Sequence, residues 1–320
     1  MDGKNVKDIP VYPYSSAYAQ EAGETAQFRE SRLADDECRR FIDIAIDIKQ
    51  DASKAAKDAL DQFGPERVVR VLANTIQQKG FGQYFSESNR DWARSVPMFL
   101  PLQKRWAISL RSHPARLEEF IARIREELER TPFRMESAET LKTLPLYLES
   151  PEFAAQHGET AQCLASHDAN VACKEAIEAA LAQNDGGAAQ RVTEQYGVER
   201  TLFVLAETVR SREPDERISP DNRAWAAAQP SPDTRDALGR NMGAAFQVLG
   251  DSAVISAFLT RVRQEGALSR ERRGDAEKIS PTQSGVSRQR NEKPSIRKLL
   301  ARKIPVINRP PAKAPRREAR

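Results

Sequence analysis

Apolar residues recur at helical spacing along most of this chain. Within residues 117–128 they stand at i, i+3, i+4, i+7 and i+11, and Pro114 fits the first turn of the same helix. A similar pattern in residues 255–262 follows Asp251, a residue type that often caps helices. No segment alternates apolar and polar residues in the way a half-buried strand does. The pattern therefore predicts an all-α protein.

Turn-forming residues mark several helix boundaries. Gly64 is expected to end one helix, and Pro65 is expected to open the next. Ser219 has the character of an N-cap, with Pro220 at the first helical position and an acidic residue in the first turn.

The sequence repeats itself with a period of about 135 residues, which is too long for a solenoid repeat and suits a duplicated domain. Three pairs of segments show the repeat: PVYPYSSAYAQEAGETAQFRE at 10–30 and PLYLESPEFAAQHGETAQCLA at 145–165, QFGPER at 62–67 and QYGVER at 195–200, and SESNRDWA at 86–93 and SPDNRAWA at 219–226. We predict the following segments: an N-terminal tail at 1–8, a first helical copy at 9–128, a linker at 129–143, a second helical copy at 144–265, and a disordered basic tail at 266–320 with a short amphipathic helix near 295–303.

The net charge of +4 conceals an uneven distribution. Residues 267–320 hold 16 basic and 5 acidic residues, a net charge of +11, whereas residues 1–266 hold 34 and 41, a net charge of −7. The basic tail is expected to bind nucleic-acid phosphates, to dock into a protein partner, or to do neither. Its candidate contacts are Arg297, Lys298, Arg302, Lys303, Arg316 and Arg317.

The composition argues against several other classes of site. No stretch approaches the ~20 apolar residues of a membrane span, so no membrane partner is expected and a cytoplasmic location is predicted. Cys38 and Cys173 occupy equivalent positions inside helical patterns and are expected to be small buried residues. The cysteine and histidine spacings indicate no metal site, and neither a P-loop nor a Rossmann motif is present, so no cofactor is expected.

A Glu–Arg pair recurs at the start of a predicted helix in both copies. The pair is Glu66 and Arg67 in the first copy and Glu199 and Arg200 in the second. The pair could bind a polar ligand. In the structural interpretation, which we favour, the glutamate complements the helix dipole and the arginine pairs with a carboxylate across the domain.

An Asn–Trp pair also recurs, as Asn89 and Trp92 and as Asn222 and Trp225. Its i, i+3 spacing places both side chains on one helix face, where they could stack a base or a sugar edge. We favour the alternative in which the tryptophan anchors a helical core and the asparagine closes a loop.

A tyrosine and a pair of threonines are further candidate site residues. Tyr14 is replaced by Glu149 in the second copy, so we expect it to be exposed and a candidate contact for a protein partner. Thr75 and Thr208 match, but a hydroxyl without a histidine or lysine partner is weak evidence for a nucleophile. No catalytic residues are therefore assigned.

The motifs PVYPYSSAYA, NVACKEAIEAAL and FGPERVVRVLANT resemble those of an uncharacterised family of bacterial conjugative elements and prophages, here in two tandem copies. The first copy departs from the family pattern at ADDECRRFIDIAI, and the second departs at YGVERTLFVLAETV. A binding surface in either region would then be used by one copy only.

These observations favour a non-enzymatic accessory protein of a mobile genetic element that acts as a paired protein-interaction module, with an unidentified protein partner. The alternative is a nucleic-acid-binding protein that uses its basic tail.

Overall fold

The computed structural model describes residues 5–48, 51–79, 84–105, 108–183, 186–231 and 242–279, with side chains up to residue 267. The α-helices of the first copy are α1 (Ser16–Glu21), α2 (Thr25–Asp47), α3 (Ala52–Phe63), α4 (Pro65–Lys79), α5 (Glu87–Ser95) and α6 (Pro114–Arg130). Those that follow are α7 (Glu136–Thr143), α8 (Pro151–His157), α9 (Thr160–Gln183), α10 (Ala188–Tyr196), α11 (Val198–Ser211), α12 (Pro220–Ala227) and α13 (Ser252–Ile279). Short 3-10 turns stand at Val6–Asp8, Leu102–Lys104 and Met242–Phe246.

The all-α prediction is confirmed, since the described residues contain no strand. Within the same residues, no helix combines the length and the apolar character that crossing a membrane requires.

Local capping explains where the helices begin and end. Gly64 ends α3 with a φ of 77°, and Pro65 opens α4, as the sequence predicts. The Ser219 hydroxyl accepts a hydrogen bond from the Asn222 N–H at the start of α12. The Asp251 carboxylate accepts one from the Ala253 N–H at 2.9 Å at the start of α13. Each side chain satisfies a backbone donor that has no partner within its own helix.

Each copy has its own hydrophobic core. The core of the first copy includes Ile42, Leu72 and Phe120, and the core of the second includes Ile177 and Leu205. Both copies nevertheless belong to one compact unit, Met1–Arg273.

In both copies, side chains hold the loops in place through hydrogen bonds with main-chain groups. Asp43 on α2 accepts hydrogen bonds from the Arg111 and Ser112 N–H groups, both at 2.9 Å. Its equivalent, Glu178 on α9, accepts one from the Leu249 N–H at 2.6 Å. The residue type changes between the copies, but the backbone contact stays.

The same rule holds at the end of α4 and of α11. Gln77 donates to the Ala93 carbonyl at 2.7 Å, and its equivalent Arg210 donates to the Ala226 carbonyl at 2.6 Å. These bonds tie α4 to α5 and α11 to α12, so the two copies keep one architecture with different donors.

The predicted linker at 129–143 contains helix α7, which stands where Val6–Asp8 stands in the first copy. The 3-10 turn packs on α3, and α7 packs on α10. A Cβ on Gly64 would lie 3.9 Å from the Lys7 carbonyl oxygen, and one on Gly197 would lie 3.3 Å from the Lys142 carbonyl oxygen.

A segment of the first copy reaches across to the second. We call residues 94–105 the crossing segment. Phe99 and Leu100 belong to the core of the second copy rather than to that of the first. The Tyr196 hydroxyl donates to the Met98 carbonyl at 3.2 Å, and the Leu102 N–H donates to Glu175 on α9 at 2.9 Å. The crossing segment therefore joins the two copies through both apolar and polar contacts.

Candidate functional site

Arg67 and Arg200, two of the predicted binding residues, are buried, with 1% and 2% of their surface exposed. Arg67 donates to the Ser31 carbonyl at 3.0 Å and to the Ile9 carbonyl at 2.7 Å, and it pairs with Asp35. It therefore ties α4 to α2 and to the segment that precedes α1.

Arg200 repeats this arrangement with one change. It donates to the Ser166 carbonyl at 3.1 Å and to the Leu144 carbonyl at 2.7 Å, but it meets the neutral Asn170 where Arg67 meets a carboxylate. Burial lowers the pKa of the Arg200 guanidinium to about 10, which leaves it charged at neutral pH. Arg67 pairs with a carboxylate, as the structural interpretation of the sequence expects, whereas Arg200 meets an amide where a carboxylate was expected.

Glu66 accepts hydrogen bonds from the Glu136 and Ser137 N–H groups, both at 3.2 Å, and so caps the start of α7. Its equivalent Glu199 is exposed in the first turn of α11, where it complements the helix dipole. The two glutamates therefore have different surroundings.

The recurring asparagines tie helices together. Asn89 accepts a hydrogen bond from Arg125 on α6 at 2.6 Å, and Asn222 accepts one from Arg263 on α13 at 2.7 Å. Both asparagines are buried. Each therefore joins a short helix to the last helix of its own copy.

The tryptophans beside these asparagines are half-buried. Trp92 packs against the core of the first copy and Trp225 against that of the second. The Arg263 guanidinium lies 5.3 Å from the centre of the Trp225 ring, within cation–π range.

Tyr14 lies in the contact between the copies, which corrects the expectation that it is freely exposed. Its ring stacks on Tyr18 at 4.1 Å and meets the edge of Phe99 at 5.4 Å. Burial raises the pKa of Tyr14 to about 12. The ring supports the crossing segment, whose course the sequence pattern does not reveal.

The predicted residues do not converge on one site. Glu66 and Arg67 stand at the beginning of α4, whereas α5, with Asn89 and Trp92, is bonded to the end of α4 through Gln77. About ten residues of helix separate these positions, a distance of roughly 15 Å.

The matched threonines, the cysteines and the tail residues are the remaining candidates. Thr75 accepts a hydrogen bond from the Leu110 N–H, and Thr208 accepts one from the Val248 N–H, both at 2.9 Å. The described residues contain no cluster of three or more metal-ligating side chains. Burial raises the pKa of Cys38, and it raises the pKa of Cys173 to about 12. The predicted tail contacts Arg297, Lys298, Arg302, Lys303, Arg316 and Arg317 lie outside the described residues.

A cleft with a volume of about 410 Å³ opens between the copies. Its walls are the crossing segment and the end of α4 on one side, and α9 and α10 on the other. Its apolar lining includes Ile76, Val96, Met98, Ala172, Ala176, Ala179, Ala180 and Val192. The alanines of α9 leave the space open because their side chains are short.

Charged residues surround this apolar lining. The basic residues are Arg90, Arg94, Arg105, Lys174 and Arg191, and the acidic residues are Glu175 and Glu178. Both carboxylates are engaged by the protein itself, because Glu175 accepts the Leu102 N–H and Glu178 accepts the Leu249 N–H. Lys174 pairs with Glu178 at 3.3 Å, and Arg94 pairs with Asp91 at 2.8 Å outside the lining. The lining therefore holds more basic than acidic side chains.

Arg105 is the buried cation of the cleft. It donates to Gln77 at 2.7 Å and lies 3.6 Å from Glu175. Its Nε has no hydrogen-bond acceptor among the described residues. Burial lowers the pKa of Arg105, and burial also raises the pKa of Glu175.

A second opening of about 360 Å³ lies beside Glu66 and Arg67, between residues 7–13 and α7. It contains neither Asn89 nor Trp92. Its lining holds fewer apolar side chains than that of the cleft, so we regard the cleft between the copies as the candidate site.

The spacing of residue types within one copy does not predict the cleft, although the sequence carries a signal for it. Alanines at 172, 176, 179 and 180 lie within NVACKEAIEAAL, one of the motifs that carry the family resemblance. The first copy has Glu37, Phe41, Ile44 and Ala45 at the equivalent positions. The difference in side-chain size between the copies marks this helix face.

A family model described as "Protein of unknown function (DUF3849)" matches residues 11–129 and 146–267. The predicted resemblance to a domain-of-unknown-function family in two tandem copies is thereby confirmed. No curated protein and no solved structure matches the chain.

Proposed function

We propose that this chain, which belongs to the DUF3849 family and carries two copies of its domain, is a non-catalytic binding protein whose site is the cleft between the copies. The observation that carries the proposal is this cleft, with its apolar lining and its excess of basic residues. The volume of about 410 Å³ lies in the ordinary range for a binding pocket.

The chemistry of the cleft indicates the kind of partner it would bind. The alanine surface of α9 suits an apolar side chain, and Arg90 suits a carboxylate, since Lys174 and Arg105 already face Glu178 and Glu175. We therefore expect the cleft to bind a segment of a partner protein in which apolar and acidic side chains lie close together. The two copies act as a pair, since neither copy alone forms both walls.

Site-specific photo-crosslinking tests this proposal. A benzophenone amino acid replaces Gln183, which lines the cleft, or Ala224, which is exposed on α12 away from it. After irradiation of the host cells and nuclease treatment, mass spectrometry identifies the attached proteins. We expect a specific adduct at position 183 that is absent at position 224.

Two variants test whether this adduct depends on the cleft. Ala179→Trp fills the cleft and Arg90→Glu reverses a charge in its lining, so each should remove the adduct, whereas Ala224→Trp should not. An adduct that persists in Ala179→Trp, with an unchanged melting temperature, would place the partner elsewhere and refute the proposal.

The alternative function is nucleic-acid binding through the basic C-terminal segment, which its net charge of +11 over residues 267–320 favours. With ~6 phosphate contacts, affinity should fall about a thousandfold between 50 and 200 mM salt. Binding that does not depend on salt would argue against this alternative.

The setting in a mobile genetic element and the cytoplasmic location form part of the same proposal. The first is supported by the motifs PVYPYSSAYA, NVACKEAIEAAL and FGPERVVRVLANT, and the second by the three cysteines, which are free thiols.

A further inference from the structure

Helix α2 of the first copy carries an exposed apolar stripe. Leu33, Ile44 and Ile48 expose 56%, 59% and 68% of their surface. Their spacing of 11 and 4 residues places them on one face of the helix, opposite the buried face that includes Cys38 and Ile42. Ile44 and Ile48 lie one turn apart, Leu33 lies three turns before Ile44, and the exposed Glu37 and Arg40 stand between them on the same face.

The second copy shows that this helix face is a docking face of the domain. The equivalent face of α9 includes Asp168, Glu175 and Ala179, and the crossing segment of the first copy packs there. Lys104 pairs with Asp168 at 2.5 Å, and the Leu102 N–H bonds to Glu175. Within the described residues, the matching face of α2 has no such cover.

A segment like the crossing segment does not suit the face of α2. At the positions of Asp168 and Glu175, which receive Lys104 and a backbone N–H, the first copy has Leu33 and Arg40. A lysine would then meet a leucine, and an N–H would meet a guanidinium. The occupant must therefore have a different pattern.

The stripe is complementary to itself in the antiparallel direction. Leu33, Glu37, Arg40 and Ile44 are spaced by four, three and four residues, which is the spacing of a helix-pairing seam. When two α2 helices pair antiparallel about a twofold axis between residues 38 and 39, Leu33 meets Ile44 and Glu37 meets Arg40 of the second chain. Each contact occurs twice, as in any isologous interface.

We infer that the α2 face is a self-association surface and that a second copy of this chain covers it. The apolar pairs supply the contact, and the two Glu37–Arg40 pairs fix the direction and register of the helices. Arg40 already lies 2.6 Å from Asp36 on its own helix, so its charge is held near the seam. The inference is independent of the cleft, which lies between the two copies of one chain.

Sedimentation velocity and light scattering on the full chain test the inference. We expect a concentration-dependent species of twice the 35.8 kDa chain mass. Ile44→Lys should abolish it. Leu249→Lys, a matched change at a residue that is 68% exposed and lies before α13, should leave it intact.

A pair of charge reversals tests the register directly. Glu37→Arg and Arg40→Glu each place like charges across the seam, so each variant alone should dimerise at least about tenfold more weakly. An equimolar mixture of the two should form a heterodimer, because both cross-chain pairs are then attractive. Circular dichroism verifies that each variant is folded.

Three results would overturn the inference. They are a wild-type chain that stays monomeric at all concentrations, a dimer that survives Ile44→Lys, and a mixture of the charge variants that stays monomeric.

Discussion

Replacing Arg67 and Arg200 by methionine removes equivalent buried cations from equivalent networks, and the two losses should differ. Arg67→Met removes the nearer cation from the buried carboxylate of Asp35, which keeps Arg32 at 3.8 Å, and it removes the donor to the Ser31 and Ile9 carbonyls. Removing one member of a buried ion pair costs about 3–5 kcal/mol. In the second copy, Arg200→Met leaves the neutral amide of Asn170, and no carboxylate, without its donor.

The loss for Arg200→Met should be smaller. Unsatisfied buried acceptors cost about 1–3 kcal/mol, and no carboxylate is left unpaired in the second copy. We therefore expect Arg67→Met to lower the free energy of unfolding by about 1–2 kcal/mol more than Arg200→Met does. Guanidinium denaturation followed by circular dichroism measures both changes.

Asp35→Asn separates the charge effect from the loss of packing. Alone, it recreates the pairing of the second copy and should cost at most about 1 kcal/mol. Combined with Arg67→Met, it should recover most of the difference between the two arginine variants. Equal losses for Arg67→Met and Arg200→Met, or no recovery in the double variant, would show that the carboxylate does not determine the cost.

Two further changes test the surroundings of individual residues. Gly64→Ala and Gly197→Ala both place a side chain at a φ near 80°, which costs about 1–3 kcal/mol; thermal melting should show the larger loss for Gly197→Ala, because its Cβ would lie 3.3 Å from the Lys142 carbonyl oxygen. Burial raises the pKa of Asp168, but hydrogen bonds from His167 and Lys104 outweigh it and bring that pKa below its ordinary value of 3.8. The stabilisation from a lowered pKa is present above pH 4 and is lost as the pH falls, so Asp168→Asn should cost about 1–2 kcal/mol at pH 7 and progressively less in acid. Urea denaturation from neutral to acidic pH measures the cost of Asp168→Asn, and a cost independent of pH would contradict this prediction.

The features that the sequence predicts well are local ones. Gly64, Pro65, Ser219 and Asp251 act within one helical turn of themselves, so their effect is readable without knowing the rest of the fold. The duplicated motifs likewise predict the tandem copies, because repetition is a property of the sequence itself.

The features that the sequence does not predict depend on distant contacts. Tyr14 is replaced by a glutamate in the second copy, which favours a surface position. Its partial burial follows only from the path of the crossing segment, which brings Phe99 to it. The cleft depends on alanines whose facing wall comes from the other copy. Neither could be inferred from residue type and spacing within one copy.

The loop fastenings of the two copies have a consequence for the evolution of this chain. When Asp43, Gln77 and their equivalents bond to main-chain groups, the partner atom is present whatever side chain the partner residue carries. Gln77 of the first copy corresponds to Arg210 of the second, and this difference needs no compensating change at Ala93 or Ala226. Such contacts leave no correlated substitutions, so methods that infer proximity from co-varying positions should miss them. The Arg67–Asp35 contact joins two side chains and should be visible to those methods.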